Sequence, residues 1–178
     1  PTGTVTPTAT PTPTASSAMA SPTGIVVTAT ATPIGPTATA TPVAGGCAGA
    51  TTIPSTGGVF NGSTSGTSTL AGSCATSTNS PERVYQWTPT VSGVATIQTC
   101  NATSTGFDTV VYLRSGSCTG GAEVACNDDT AGCFTSEPND HHGSRLTPTV
   151  TAGQTYFIVV DGYNGALGTF TMSVTPPP

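Results

Sequence analysis

The stretch VYQWT (84–88) alternates, with Tyr85 and Trp87 on one side of an extended chain and Val84, Gln86 and Thr88 on the other. Successive side chains leave a strand in opposite directions, so period two predicts a strand. Working outward, the texture returns in VATIQT (94–99) and in TVVYLR (109–114), where Val111 and Leu113 fall together. It recurs in 146–150, in 156–161 and in TFTMSV (169–174), where Phe170, Met172 and Val174 share a side. These runs are short, rich in β-branched and aromatic residues, and bounded by Gly, Asn, Ser or Pro. Helical periodicity is absent. Several short strands with turn signals between them predict an all-β protein, and about 130 residues after the first cysteine suit one β-sandwich.

Residues 1–46 are unlike the rest. They hold eight of the sixteen prolines, no charge and no aromatic side chain; the first charged residue is Glu82. So little apolar surface cannot offset the entropy of ordering, which predicts an extended arm or linker ahead of a domain at 47–178. Thr recurs at every second position from Thr2 to Thr14, then at Thr28, Thr30 and Thr32 and at Thr37, Thr39 and Thr41. Thr-rich, Pro-punctuated tracts carry O-linked glycans in stalks, so the last six are candidate attachment sites. Ile25, Val27, Ala29 and Ala31 share the face opposite the hydroxyls of 28–32, as a strand adding to another subunit's sheet would require. Linker and assembly strand both stay open.

Charge excludes whole classes of partner. Only 6% of the 178 residues are charged, with three Arg, no Lys and a formal net charge of -5. Nucleic acid would find no phosphate-neutralising surface, and an anionic membrane no polybasic segment. No apolar run is long enough to span a bilayer. Six cysteines, an even number without C-x2-C spacing, predict a disulfide framework rather than a metal site, and an extracellular, secreted or cell-surface location. A start at Pro1, with no basic n-region, is expected of a mature or trimmed product. Six cysteines allow 15 pairings. Cys118 and Cys126 flank a short Gly-rich connection and are the candidate hairpin staple, with Cys47–Cys74 and Cys100–Cys133 as the remaining guess.

The fragments RVYQWTPTVSG (83–93), FDTVVYLRSGSC (107–118), EVACNDD (123–129), AGQTYFIVVDGY (152–163) and GTFTMSV (168–174) make an ordered set. In order and spacing it resembles the bacterial pre-peptidase C-terminal domain family over about 59–174. The resemblance implies a jelly-roll-like β-sandwich and a non-catalytic module appended to secreted peptidases and other exported proteins. Relatives are associated with collagen or polysaccharide, and some with calcium. It also implies that FDT and NDD lie close, with Asp108, Asp128 and Asp129 as calcium ligands and Asn127 as a fourth. Ordinary Asp and Asn turn chemistry is the competing account. Two departures stand out: only the Thr/Pro tract precedes the module, and the loop 134–143 is longer than usual.

Catalysis has little to build on. His141 and His142 are the only imidazoles, in a polar loop with Glu137, Asn139 and Asp140, and no G-x-S-x-G or H-E-x-x-H motif occurs. A solvated loop is expected there, with an adventitious metal site at Glu137, Asp140, His141 and His142 as the sharper account. Asp161-Gly162 is expected to be a turn. The triplets at Asn61 and Asn101 fit the N-glycosylation pattern by chance. Tyr85, Trp87, Tyr112, Tyr156 and Phe157 would stack on sugars if exposed, but strand spacing puts at least half in the core. The expected function is a non-catalytic structural subunit of a glycosylated extracellular fibre or surface assembly, with copies of itself joined head to tail. The alternative is a substrate- or polysaccharide-binding accessory module of a secreted hydrolase on a flexible stalk.

Overall fold

The structure, a computed structural model, describes residues 46–137 and 142–178. The arm candidates, Ile25, Val27, Ala29, Ala31 and the six threonines between 28 and 41, lie outside the described residues, as do Asn139, Asp140 and His141. The first strands are β1 (Thr51–Thr52), β2 (Gly58–Ser63), β3 (Arg83–Trp87), β4 (Gly93–Val94) and β5 (Thr96–Gln98). β6 (Thr109–Ser115), β7 (Ala122–Asn127), β8 (Arg145–Leu146), β9 (Thr149–Val150), β10 (Tyr156–Gly162) and β11 (Thr169–Thr175) follow. The described residues contain no α-helix.

Two sheets make a β-sandwich. One runs β1-β3-β10-β6-β7 and the other β2-β11-β5-β8, with β4 and β9 as a separate pair. Two of the expected runs are each broken into two strands. Pro148, which has no N–H, separates β8 from β9, and Ala95, whose N–H goes to the Pro148 carbonyl, separates β4 from β5. Strands β2 and β7 were not legible from alternation. With two glycines and an asparagine, β2 takes its extended shape from pairing along β11, from Gly58↔Val174 to Ser63↔Thr169.

Alternation decides which side chains meet between the sheets. Tyr85 and Trp87, Val111 and Leu113, and Tyr156, Ile158 and Val160 pack against Ile97, Phe170, Met172 and Val174. Trp87 is fully buried, and its indole N–H donates to the Ser55 carbonyl at 3.2 Å. Of the five aromatics weighed for sugar stacking, Tyr85, Trp87, Tyr112 and Tyr156 are buried and Phe157 is half-buried.

The five-stranded sheet is also covered on its other face. Val84, Val110, Tyr112 and Val159 point there and meet Leu70, Ala75, Cys47 and Cys118. The covering strap, 64–82, has no regular structure and is fastened covalently. Cys47 pairs with Cys118, Cys74 with Cys126 and Cys100 with Cys133. Of the guessed pairings only Cys100–Cys133 forms. Cys118 lies at the turn between β6 and β7, while Cys126 lies near the far end of β7, several residues at roughly 3.3 Å each, too far for a bridge whose Cα atoms stand about 6 Å apart. Each instead ties the sheet to the segment laid across it.

Candidate metal centre

β6 and β7 are antiparallel, with Val111 opposite Asn127, so the start of one lies beside the end of the other. Asp108 sits just before β6; Asp128 and Asp129 sit just after β7. The hairpin therefore brings the FDT and NDD carboxylates to one corner. A third segment joins them: Thr109 N–H donates to the His142 carbonyl at 3.0 Å, which lays residue 142 along the start of β6. Next to it, the Gly143 N–H donates to the Cys133 carbonyl at 2.9 Å, and Gly143 O accepts from Thr130 N–H at 3.0 Å. A Cβ at Gly143 would stand 2.5 Å from Cys133 Sγ, so only glycine lets this segment lie so close to the Cys100–Cys133 bridge. Beneath the corner, the buried hydroxyls of Thr99, Thr109 and Ser144 bond one another, and Ser144 Oγ also donates to the Asp128 carbonyl at 2.7 Å.

In this corner Asp108, Asp129 and His142 each place a ligand atom within 4.8 Å of the others. His142 Nδ1 lies 2.9 Å from Glu137 Oε2 and 3.9 Å from Asp108 Oδ2. The hydrogen bond to Glu137 raises the His142 pKa. Burial pushes Asp108 up to about 6; the His142 imidazole opposes this, while Asp128, Asp129 and Glu137 add to it. Asp128 is raised too, by burial and then by Asp129. Asp108 Oδ1 and Asp128 Oδ1 are both buried without a hydrogen-bond partner.

Those orphaned oxygens test the calcium that the family resemblance implies. Ligand oxygens on one calcium ion stand about 2.4 Å from it, hence at most about 5 Å from each other; Asp108 and Asp129 each place a carboxylate oxygen within that limit, the third member of the cluster is an imidazole nitrogen of His142, and Asp128 is not in it. Two desolvated carboxylate oxygens and mutually repelling acids are what a cation would relieve, so the charge pattern fits a cation, with Asp108 and Asp129 as the two carboxylates placed to share it. Asn127 is otherwise engaged: its Oδ1 accepts from Thr130 Oγ1 at 2.7 Å and from Arg145 N–H at 2.9 Å. The two groups that the sequence kept apart, Asp108 with Asp128 and Asp129 and the loop with Glu137 and His142, are one cluster. No local motif links residues 108 and 142; strand pairing does.

The residue that the sequence undervalued is Asp161. Expected in a turn, it is instead a fully buried member of β10 on the strap side. Its Oδ1 accepts from Gly162 N–H at 2.8 Å and its Oδ2 from the Tyr112 hydroxyl at 3.3 Å. Burial pushes its carboxyl up to about 7, with the charge of Glu82 adding and the Gly162 N–H opposing. Glu82 is fully buried as well and accepts from Gly46 N–H, Thr69 N–H and the Thr69 hydroxyl.

No family model and no curated protein matches the chain. Among solved structures it is similar to the pre-peptidase C-terminal domain of a collagenase from Bacillus anthracis, with a TM-score of 0.45 and 17% identity, over 71% of this chain and 94% of that one. No helix among the described residues is long and apolar enough to cross a membrane.

Proposed function

We propose that the chain is a non-catalytic extracellular structural protein, the subunit of a glycosylated fibre or surface assembly. In it the N-terminal arm of one copy adds as a strand to the sandwich of the next. The supporting observation is an unguarded sheet edge. Exposed edge strands are usually blunted by charge, proline, bulges or shortness. Here β1 and β8 have two residues each, and β7 carries Glu123, a bulged pairing with β6 and the Cys74–Cys126 bridge. β2, GVFNGS, has six residues, no charge and no proline, and among the described residues pairs only with β11; Val59 on it is 69% exposed. The segment 25–32, uncharged and alternating, has the length and pattern to pair with it. Contact between an arm and another copy's edge is heterologous, so it propagates unless it closes into a ring.

Calcium belongs to the same proposal as a stabilising ion held by Asp108 and Asp129 beside His142, with Asp128 next to them. It would neutralise the crowded carboxylates and brace the corner where three segments meet. Three disulfides with no free cysteine support the extracellular location.

Electron microscopy of the full chain beside one lacking residues 1–46 tests the assembly. Filaments from the first and dispersed particles from the second are expected. Dispersed particles from both return the arm to linker status and leave the tethered binding module as the better reading.

A further inference from the structure

We propose that the depression floored by Arg114, between the strap and the β6–β7 turn, binds the carboxylate of an acidic sugar, a uronic-acid residue of a polysaccharide. This goes beyond the assembly reading and needs no part of it. Arg114 lies on the strap side of β6, its guanidinium 5.2 Å from the centre of the Tyr112 ring. One terminal nitrogen donates to the Cys118 carbonyl at 2.8 Å and the other to the Ala71 carbonyl at 2.9 Å. Those two bonds hold the guanidinium plane without neutralising it. Glu123 stands opposite on β7 with its carboxylate bonded to Ser73; no carboxylate among the described residues lies within ion-pair distance of Arg114, and among them three of its five N–H donors are uncommitted. A permanent cation so fixed is a ready partner for a planar anion.

The surroundings say which kind of anion. The depression measures about 430 Å³ and is lined by Ser68, Thr69, Leu70, Ala71, Thr78 and Thr119 around Arg114. That size is in the range of small-ligand sites, roughly 300–1,000 Å³. Thr78 and Thr119 are exposed, and their hydroxyls form no hydrogen bond among the described residues. The Thr69 hydroxyl is committed to Glu82, whose carboxylate is already satisfied by that donor and by the N–H groups of Gly46 and Thr69. One cation, two uncommitted hydroxyls and the aliphatic side chains of Leu70 and Ala71 suit a carboxylate on a hydroxylated ring with one apolar face.

The test uses the full chain labelled with 15N and titrated with trigalacturonic acid, its methyl ester, and an acetylated Ala-Ala-Glu peptide. The acid is expected to shift the Arg114 Nε signal and the amides of Leu70, Thr78 and Thr119, with little response to the ester or the peptide. Thr119→Glu places a like charge at the rim on a residue that bonds nothing, so the fold stays intact; it should weaken binding about tenfold or more. No shift at millimolar acid, an equal response to the ester, or unchanged binding by Thr119→Glu would overturn the proposal. An equal response to the peptide would also overturn it, since the site would then read carboxylates without regard to the sugar.

Discussion

Two regions of the sandwich use carboxylates in opposite ways. Under the strap, Glu82 and Asp161 are fully buried, yet each meets donors: three for Glu82, and Gly162 with Tyr112 for Asp161. At the metal corner, Asp108 and Asp128 are only partly buried but each leaves a buried oxygen without a partner, beside Asp129 and Glu137. Depth is therefore a poor guide to role. A deep carboxylate with satisfied oxygens fastens a structure, whereas a shallower one with an orphaned oxygen among like charges carries an unrelieved charge that a cation would offset.

The largest effect that would break this comparison is loss of the strap itself. Replacing Cys74 and Cys126 with Ala opens the link that fastens the strap, a loop spanning 52 residues, and should cost roughly 4 kcal/mol in chain entropy. The expected signature in hydrogen exchange is lost protection around 64–82, with the sheet–sheet core retained. Uniform loss across both sheets would mean that the strap is no separate layer.

Next comes pH. Asp161 has an ordinary value near 3.8 when unfolded and about 7 when folded. Between those values the folded state holds a proton that the unfolded state lacks. Its contribution to stability is therefore fully present below about pH 4 and lost as pH rises to about 7. Denaturation of the parent and Asp161→Asn at pH 4.5 and 7.5 should show the parent losing about 3 kcal/mol relative to the variant. The Asp108 contribution runs the same way but is common to both proteins and cancels. A pH-independent difference would show Asp161 ionised throughout.

The smallest effect sharpens the contrast by its sign. At pH 7 the Asp108 carboxylate is ionised against its environment, and because solvent screens this partly exposed group, Asp108→Asn should stabilise the metal-free protein by only about 1 kcal/mol. The same change should abolish any rise in melting temperature on adding calcium chloride, which the parent should show. Calcium raising parent and variant equally would place the ion elsewhere.

Much of this molecule was legible without a structure. Alternation in 84–88, 109–114 and 169–174 named the core side chains, because a strand with one face against a partner sheet must repeat with period two. The ordered fragments marked Asp108, Asp128 and Asp129 as neighbours. What stayed hidden depended on a second layer. Alternation says that Tyr112, Val159 and Asp161 point away from Leu113 and Ile158, but not that a strap of Ser, Thr and Gly returns to cover them. Hence Asp161 passed for a turn residue, and Cys118 was matched to its neighbour Cys126 instead of distant Cys47. His142 likewise meets Asp108 only through strand pairing and one glycine-permitted approach. Local sequence determined the strands, their faces and the residues able to carry charge. Which carboxylates were satisfied and which were left facing a gap was decided only by tertiary structure, because a hydrogen-bond partner many residues away leaves no periodic trace.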